Sequence, residues 1–247
     1  MIVLIGLTFL SGVVCSGIGG CVGVVARRKS DRALSLLMSF AAGMMLSIVF
    51  FDLLHHATES PMDIWMIALM ILAGFLVVHF LHKVVEHRAA KRMKGLDSQM
   101  FLSGIVMIVA IAFHNIPVGM TIGASYLGHS LAWSSPAVTL AILVGIHNIP
   151  EGMSVSAPLL ASGMSKFKTV LLTAFGGITI MIGGLLGYFI GDVSESSLAV
   201  TLSFASGAML YITLGEMIPH AQKKCPGKLT TLFVIVGMIL GMILIYS

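Results

Sequence analysis

Long apolar stretches separated by short polar loops cover almost the entire chain. Only 10% of the 247 residues are charged, whereas soluble globular proteins carry about 25% charged residues. A helix that spans a bilayer needs about 20 predominantly apolar residues, and eight stretches meet that requirement. They lie at residues 1–26, 33–56, 62–84, 100–127, 132–160, 167–190, 198–220 and 228–246. The sequence therefore predicts an all-α membrane protein with eight transmembrane helices, forming a single domain over residues 1–247.

The positively charged residues are confined to one set of loops. All 14 lysines and arginines fall in the loops after the first, third, fifth and seventh segments. The loops on the other side carry Glu59, Asp63, Asp192 and Glu195. Because cytoplasmic loops are rich in Lys and Arg, the odd-numbered loops are predicted to be cytoplasmic. Both termini are then outside the cytoplasm, and the predicted location is a cell membrane, either inner or plasma.

The second and seventh segments share a sequence pattern. Residues 39–57 (SFAAGMMLSIVFFDLLHHA) align without a gap with residues 203–221 (SFASGAMLYITLGEMIPHA), at an offset of 164 positions. Four glycines of the first segment fall on glycines of the sixth at the same offset, and the third and eighth segments form a weaker pair. Since the copies start five segments apart, they would cross the membrane in opposite senses. The pattern predicts an inverted repeat around a central hairpin of segments four and five, as in many transporters, with chance similarity of Gly-rich helices as the alternative.

The central hairpin carries nearly the same heptapeptide twice, as HNIPVGM at residues 114–120 and HNIPEGM at residues 147–153. Both histidines lie about 15 residues into their segments, which at ~1.5 Å per residue is near the middle of a bilayer. A polar group at that depth normally faces the bundle interior or a water-filled cavity. His147 and Glu151 are four residues apart and share one helix face.

Imidazole and carboxylate groups suit Zn²⁺ and other first-row divalent cations. The hairpin therefore predicts a metal site that includes His114, His147 and Glu151. A hydrogen bond between helices is the alternative role for either histidine.

Pro117 and Pro150 are expected to kink the two helices, since each proline frees the carbonyl four residues earlier. Freed backbone is tolerated in a membrane where it lines a cavity or is otherwise satisfied. Asn115 and Asn148 are therefore either amide-oxygen ligands of the metal or caps for the broken backbone, and the sequence leaves both roles open.

Eight segments, external termini and paired HNIPxG motifs resemble the ZIP (Zrt/Irt-like) family of divalent-metal transporters, in particular its bacterial GufA-like branch. The resemblance covers essentially the whole chain. It implies a 3+2+3 helix arrangement, a transport site between segments four and five, and uptake of Zn²⁺, with Cd²⁺, Fe²⁺ or Mn²⁺ as further substrates. It also implies a methionine ligand from the FAAGMM stretch of segment two, which is Met45 here. No cofactor besides the transported metal is implied.

Two positions depart from the pattern of that family. Val118 stands where the fourth segment usually has a glutamate that bridges two metal ions, and Ile180 stands where the sixth segment often has another glutamate. We therefore predict one intramembrane site instead of two. Its predicted ligands are Met45, His114, His147 and Glu151, with Asn148 or water completing the set and Asn115 as a further candidate.

Polar residues on segments two and seven predict a path on either side of this site. Toward the outer mouth lie Asp52, His55 and His56, where acidic groups would concentrate cations. Toward the cytoplasmic exit lie Glu216 and His220. Ordinary interfacial polarity at helix ends is the alternative for these residues.

Three further polar residues follow one face at the cytoplasmic end of segment three. They are His79, His82 and Glu86. We interpret them as solvated interfacial residues, with a metal sensor as the alternative.

Two other function classes stay open at this point. An intramembrane zinc metalloenzyme would need a general base beside an open coordination position, but no HExxH motif is present and Glu151 is already assigned as a ligand. A passive divalent-cation channel could have the same sequence. The expected partners are divalent metal ions and lipid, with no nucleic acid. The oligomeric state is open, with a homodimer as one option.

Overall fold

Helices make up nearly all of the described chain. The structure is a computed structural model that describes residues 1–89, 98–126, 135–190 and 194–246. Within these ranges, eight helices are long and apolar enough to cross a membrane. They are α1 (Ile2–Arg27), α2 (Asp31–Glu59), α3 (Ile64–Val84), α4 (Met100–Ser125), α5 (Pro136–Ala161), α6 (Lys166–Ile190), α7 (Glu195–Lys224) and α8 (Lys228–Tyr246). This confirms the predicted all-α class and its eight transmembrane helices.

Helices α2 and α7 begin two and three residues earlier than hydropathy predicted, because polar caps precede their apolar runs. The Ser30 hydroxyl accepts a hydrogen bond from the backbone N–H of Ala33 at 3.0 Å, so α2 begins at Asp31. Ser194 likewise accepts from the N–H of Ser197 at 3.3 Å and starts α7. Such N-caps satisfy backbone donors that the first helical turn leaves unpaired. Residues 127 and 132–134, predicted to belong to segments four and five, lie outside the described residues.

Three helices contain a π-helical turn, and a fourth is interrupted. The π turns are Leu10–Val14 in α1, Val49–Leu53 in α2 and Thr213–Met217 in α7. The interruption is at Gly177, between the helical stretches Lys166–Gly176 and Ile178–Ile190 of α6. The turns in α2 and α7 are 164 positions apart, which is the offset found in the sequence. π turns are rare and occur frequently at functional sites.

Close glycine contacts hold α2 against α8 and α7 against α3. A Cβ atom added at Gly43 would lie 1.9 Å from the carbonyl oxygen of Val234, and one at Gly207 would lie 1.9 Å from that of Ile71. The two contacts are related by the sequence repeat, because Gly207 follows Gly43 by 164 positions and Val234 follows Ile71 by 163. A second matched pair joins Gly237 to the Phe40 carbonyl and Gly74 to the Phe204 carbonyl. Small residues of this kind let helix backbones approach closely in lipid.

A second set of glycine contacts positions the central hairpin. A Cβ atom at Gly19 of α1 would lie 2.1 Å from the carbonyl oxygen of Ile149, and one at Gly183 of α6 would lie 2.2 Å from that of Ile116. Ile116 and Ile149 are the third residues of the two heptapeptides. Helices α1 and α6 therefore pack directly against the backbone that carries the predicted metal ligands.

The outer surface of the described helices is apolar. Large exposed side chains include Ile2, Trp65 and Phe167, which are 88%, 78% and 77% exposed. Such a surface suits hydrocarbon and would be unusual on a soluble monomer. Together with the eight long helices, it identifies an integral membrane protein.

Candidate metal centre

The two heptapeptides lie on facing stretches of α4 and α5. Pro117 and Pro150 both lie inside helices that continue through them, Ser98–Ser125 and Pro136–Ala161. The helices are therefore continuous where the sequence suggested broken ones. This agrees with the strong pressure on membrane-buried backbone to keep its remaining hydrogen bonds.

Three side chains with metal-ligating atoms meet between these helices. His114, His147 and Glu151 each offer one ligand atom, and these atoms lie within 4.8 Å of one another. The Nε2 atom of His114 is 3.7 Å from Oε1 of Glu151, and the two imidazole ring centroids are 5.9 Å apart. His114 is fully buried, Glu151 is 1% exposed, and His147 is half-buried. The i, i+4 spacing on α5 thus gives two of the three groups, and α4 gives the third.

Most polar atoms of this cluster lack a hydrogen-bond partner among the described residues. They are both ring nitrogens of His114, Nε2 of His147 and both carboxylate oxygens of Glu151. A buried carboxylate without compensating partners is strongly unfavourable. Two imidazoles and one carboxylate are a donor set that suits zinc and similar divalent cations. The residues present therefore fit a divalent cation.

The chain also resembles known metal transporters over most of its length. The family model described as ZIP zinc transporter matches residues 92–247. Zinc transporter ZTP29 of Arabidopsis thaliana is 31% identical over 96% of this chain and 91% of its own length. This chain belongs to the ZIP family.

Two bacterial ZIP relatives give the same result. Zinc transporter ZupT of Clostridium perfringens is 28% identical over 94% of this chain and 91% of its own length. Zinc transporter GufA of Myxococcus xanthus is 30% identical over 75% of this chain and 72% of its own length. The resemblance to the ZIP family and its GufA-like members is thus confirmed. That family is one of zinc transporters and not of enzymes, which argues against the metalloenzyme alternative.

Asn115 and Asn148 differ in their surroundings, although both are fully buried in this ZIP chain. The Asn148 amide nitrogen donates a 2.8 Å hydrogen bond to the carbonyl oxygen of Ser11, inside the π turn of α1. Asn148 therefore caps irregular backbone, but on a neighbouring helix instead of its own. Its amide oxygen and both amide atoms of Asn115 have no partner among the described residues. Both asparagines thus keep an unpaired oxygen, and their role as ligands stays a prediction.

The methionines of α2 divide between two environments. Met45, the predicted thioether ligand, is fully buried in the main hydrophobic cluster together with its repeat mate Met209. Its neighbour Met44 lines the cavity that reaches His147. The assignment of Met45 as a ligand stays a prediction, and Met44 is a further candidate that the sequence pattern did not identify.

Val118 and Ile180, which replace the family's usual glutamates, lie in one small hydrophobic cluster. Both are buried, and the cluster also contains Leu4, Ile122, Ala141 and Val144. Val118 stands one helical turn after His114, as Glu151 stands one turn after His147. The position that could carry a second carboxylate is therefore filled by apolar packing.

A cavity of about 400 Å³ extends from His147 toward the predicted outer ends of the helices. Its polar lining is His147, Asp52, His56 and Thr121, and the rest is mostly aliphatic. The Nδ1–H group of His56 donates to the carbonyl oxygen of Asp52 at 2.8 Å. His55, by contrast, is exposed and lies 3.4 Å from Glu59. Of the predicted outer-path residues, the structure brings Asp52 and His56 to the cavity and leaves His55 outside its lining.

The predicted inner-path residues meet a histidine of α3. Glu216 lies 2.8 Å from Nδ1 of His82, accepts a 3.1 Å hydrogen bond from Ser103, and is 3.7 Å from Nδ1 of His220. The interpretation of His82 as a solvated interfacial residue is therefore wrong. His79 instead makes ring contacts with Phe75, Phe80 and Tyr211. The side chain of Glu86 lies outside the described residues.

Proposed function

We propose that this chain carries divalent metal cations across a cell membrane into the cytoplasm, with Zn²⁺ as its first candidate substrate. The observation that carries this proposal is the cluster of His114, His147 and Glu151, whose buried polar atoms have no other described partners. Its relatives are named as zinc transporters. Cd²⁺, Fe²⁺ and Mn²⁺ are further candidates, since all of them accept imidazole and carboxylate ligands.

We further propose one cation per chain. Neutral imidazole is the ligating form of histidine, so two imidazoles and one carboxylate leave one uncompensated positive charge on a bound divalent cation. A cation held in this way is easier to release than one surrounded by several carboxylates. The apolar cluster around Val118 and Ile180 supports a single site, because it offers no ligand to a second ion.

Alternating access is the proposed mode of transport. The cavity that reaches His147 supports an outer path over Asp52 and His56, and the group around Glu216 and His220 supports an inner path. The matched glycine contacts and π turns support an inverted repeat of α1–α3 and α6–α8 around the α4–α5 hairpin, in a single 3+2+3 domain. In such transporters the halves rock around a central site.

The proposed orientation places both termini outside the cytoplasm, because all lysines and arginines lie in the odd-numbered loops. An epitope at the C-terminus should therefore be accessible to antibody in intact cells. If antibody reaches the epitope only after permeabilisation, the orientation is the opposite of the proposed one.

Uptake by purified protein in liposomes tests the proposed function. Initial rates for Zn²⁺, Cd²⁺, Mn²⁺ and Fe²⁺ should saturate with concentration, whereas a channel would give rates that rise in proportion. His147→Ala and Glu151→Gln should each lower the Zn²⁺ rate at least about tenfold, because loss of even an outer-shell partner of a metal ligand commonly costs 10–100-fold in affinity or activity. The matched control is His79→Ala, which removes a histidine away from the path. Normal uptake by both site variants would refute the site.

A further inference from the structure

Two similar carboxylate–histidine pairs lie at the π turns of α2 and α7, with the acid inside the turn and the histidine one helical turn after it. Asp52 and His56 in α2 are each 164 positions before Glu216 and His220 in α7. In both pairs the Nδ1–H group of the histidine donates to the backbone carbonyl of the acidic residue, at 2.8 Å for His56 and 2.7 Å for His220. Since a carbonyl oxygen only accepts, Nδ1 carries a proton, and in the neutral ring Nε2 is then the acceptor. The repeat thus builds the same local group at both ends of the path.

The surroundings of the two carboxylates differ. The side chain of Asp52 is 33% exposed and borders the large cavity, and His56 of its own helix contacts it at 3.2 Å. The side chain of Glu216 is 12% exposed and is held by residues of two other helices, His82 of α3 and Ser103 of α4. One end of the path is therefore open, and the other is closed by hydrogen bonds between helices.

The sequence repeat identifies the residue at the outer end that corresponds to His82. The matched glycine contacts pair α8 with α3 at an offset of 163, as for Val234 and Ile71. On this register the counterpart of His82 is Ile245, which lines the outer cavity together with Asp52. The outer end therefore has an apolar side chain where the inner end has an imidazole.

We propose that His82 is a gating residue of the transport path, which caps Glu216 and keeps the inner end closed while the outer cavity is open. The inference rests on the proposed function, since it needs Glu216 to lie on the exit path. Two donors, Nδ1–H of His82 and the hydroxyl of Ser103, satisfy the buried carboxylate in the closed state. The hydroxyl of Tyr211, 2.9 Å from the same Nδ1, helps to orient the ring. A cation that reaches Glu216 replaces His82 and Ser103 as its partners, which frees α4 from α7, whereas the close glycine contacts keep α3 on α7.

Cysteine accessibility in membrane vesicles of known orientation tests this gate. The reporters are Thr121→Cys in the outer cavity and Ala157→Cys beside His220 at the inner end, in a chain whose three native cysteines are replaced by alanine. A membrane-impermeant thiol reagent is applied from each side without added metal. His82→Ala should raise the inner labelling rate about tenfold, because a hydrogen bond to a charged group commonly contributes at least that factor. The outer labelling rate should fall.

Three variants make the test specific. His79→Phe, one turn earlier on α3, removes the imidazole but keeps an aromatic ring against Tyr211, and it should leave both labelling rates unchanged. Ser103→Ala removes only a hydroxyl and should raise inner labelling by a smaller factor, which keeps the test decisive if His82→Ala does not fold. Ile245→His places an imidazole beside Asp52 and should lower outer labelling about tenfold.

The gate is overturned if inner labelling is unchanged in both His82→Ala and Ser103→Ala. It is also overturned if His79→Phe opens the inner end as much as His82→Ala, since the effect would then belong to helix packing. Cysteine labelling does not require transport. If His82→Ala shifts the labelling rates but the protein takes up no Zn²⁺, the proposed function is refuted and the gate is not.

Discussion

At the scale of single residues, Val118 bears most directly on how many cations the centre can hold. It occupies on α4 the position that Glu151 occupies on α5, one turn after a histidine. Its neighbours in the hydrophobic cluster, Ile180 and Val144 among them, are buried and aliphatic. A carboxylate introduced there would face these aliphatic side chains on one side and the mostly aliphatic cavity that reaches His147 on the other.

Val118→Glu should therefore destabilise the protein more than it strengthens metal binding. A charged group at the middle of a membrane helix costs about 3 kcal/mol, so the melting temperature in detergent should fall by several degrees. Added Ile180→Glu should create a second Zn²⁺ site, and Zn²⁺ should then restore stability. Val118→Leu is the size control. Tight binding of two Zn²⁺ ions by Val118→Glu alone would contradict the single-site account.

Substitution of Asn115 and of Asn148 should have different effects on the stability of the metal-free protein. Asn148→Ala leaves the Ser11 carbonyl in the α1 π turn without its partner, which costs about 1–3 kcal/mol. Asn115→Ala removes an amide that has no described partner, and it should leave the melting temperature of the metal-free protein nearly unchanged. Thermal unfolding with and without Zn²⁺ distinguishes the two variants. Equal losses of metal-free stability would show that Asn148 does not have the structural role assigned here.

The predicted cluster of His114, His147 and Glu151 could be read from the sequence because it depends on local geometry. The i, i+4 spacing places two groups on one face, and the repeated heptapeptide places the third at the same depth. Met44 and His82 could not be found in this way. Their surroundings depend on which face of α2 meets α5 and on which neighbour α3 packs against, and periodicity carries neither fact.

At the scale of helices, glycine contacts set the distances between the elements that carry the site. Gly183 touches the carbonyl of Ile116, inside the heptapeptide of α4, so α6 fixes how close the backbone behind His114 can lie. The sequence showed that glycines recur at the same offset in the first and sixth segments. It did not predict the π turns, because the hydrogen bonds that define them leave no fixed residue pattern.

Gly183→Ala should weaken both folding and metal binding. The added Cβ would lie 2.2 Å from the Ile116 carbonyl oxygen, and overpacking of this kind costs about 1–3 kcal/mol. The matched control is Gly6→Ala, since a Cβ at Gly6 meets no atom within 4 Å. Melting temperature and Zn²⁺ affinity should fall for the first variant only. Equal behaviour of the two variants would contradict the described packing of α4 on α6.

At the scale of the whole molecule, the repeat explains why a site at the centre has similar groups on both sides of it. The shared offset relates Asp52 and His56 to Glu216 and His220, and the π turns occur where those acids stand. The number of helices and the class could be predicted, because hydropathy suffices for them, and the inverted repeat stays a prediction that the matched glycine contacts and π turns support. The difference between the two ends could not, since it depends on His82 in α3 meeting Glu216 in α7.

The central claim is a single divalent cation held by His114, His147 and Glu151, and a structure of the protein with Zn²⁺ tests it most directly. An anomalous difference map at the zinc edge should give one peak between α4 and α5, with ligand distances of about 2.0–2.2 Å to imidazole nitrogen and carboxylate oxygen. Two bridged peaks in the hairpin, or a central peak that none of these three side chains contacts, would contradict the account.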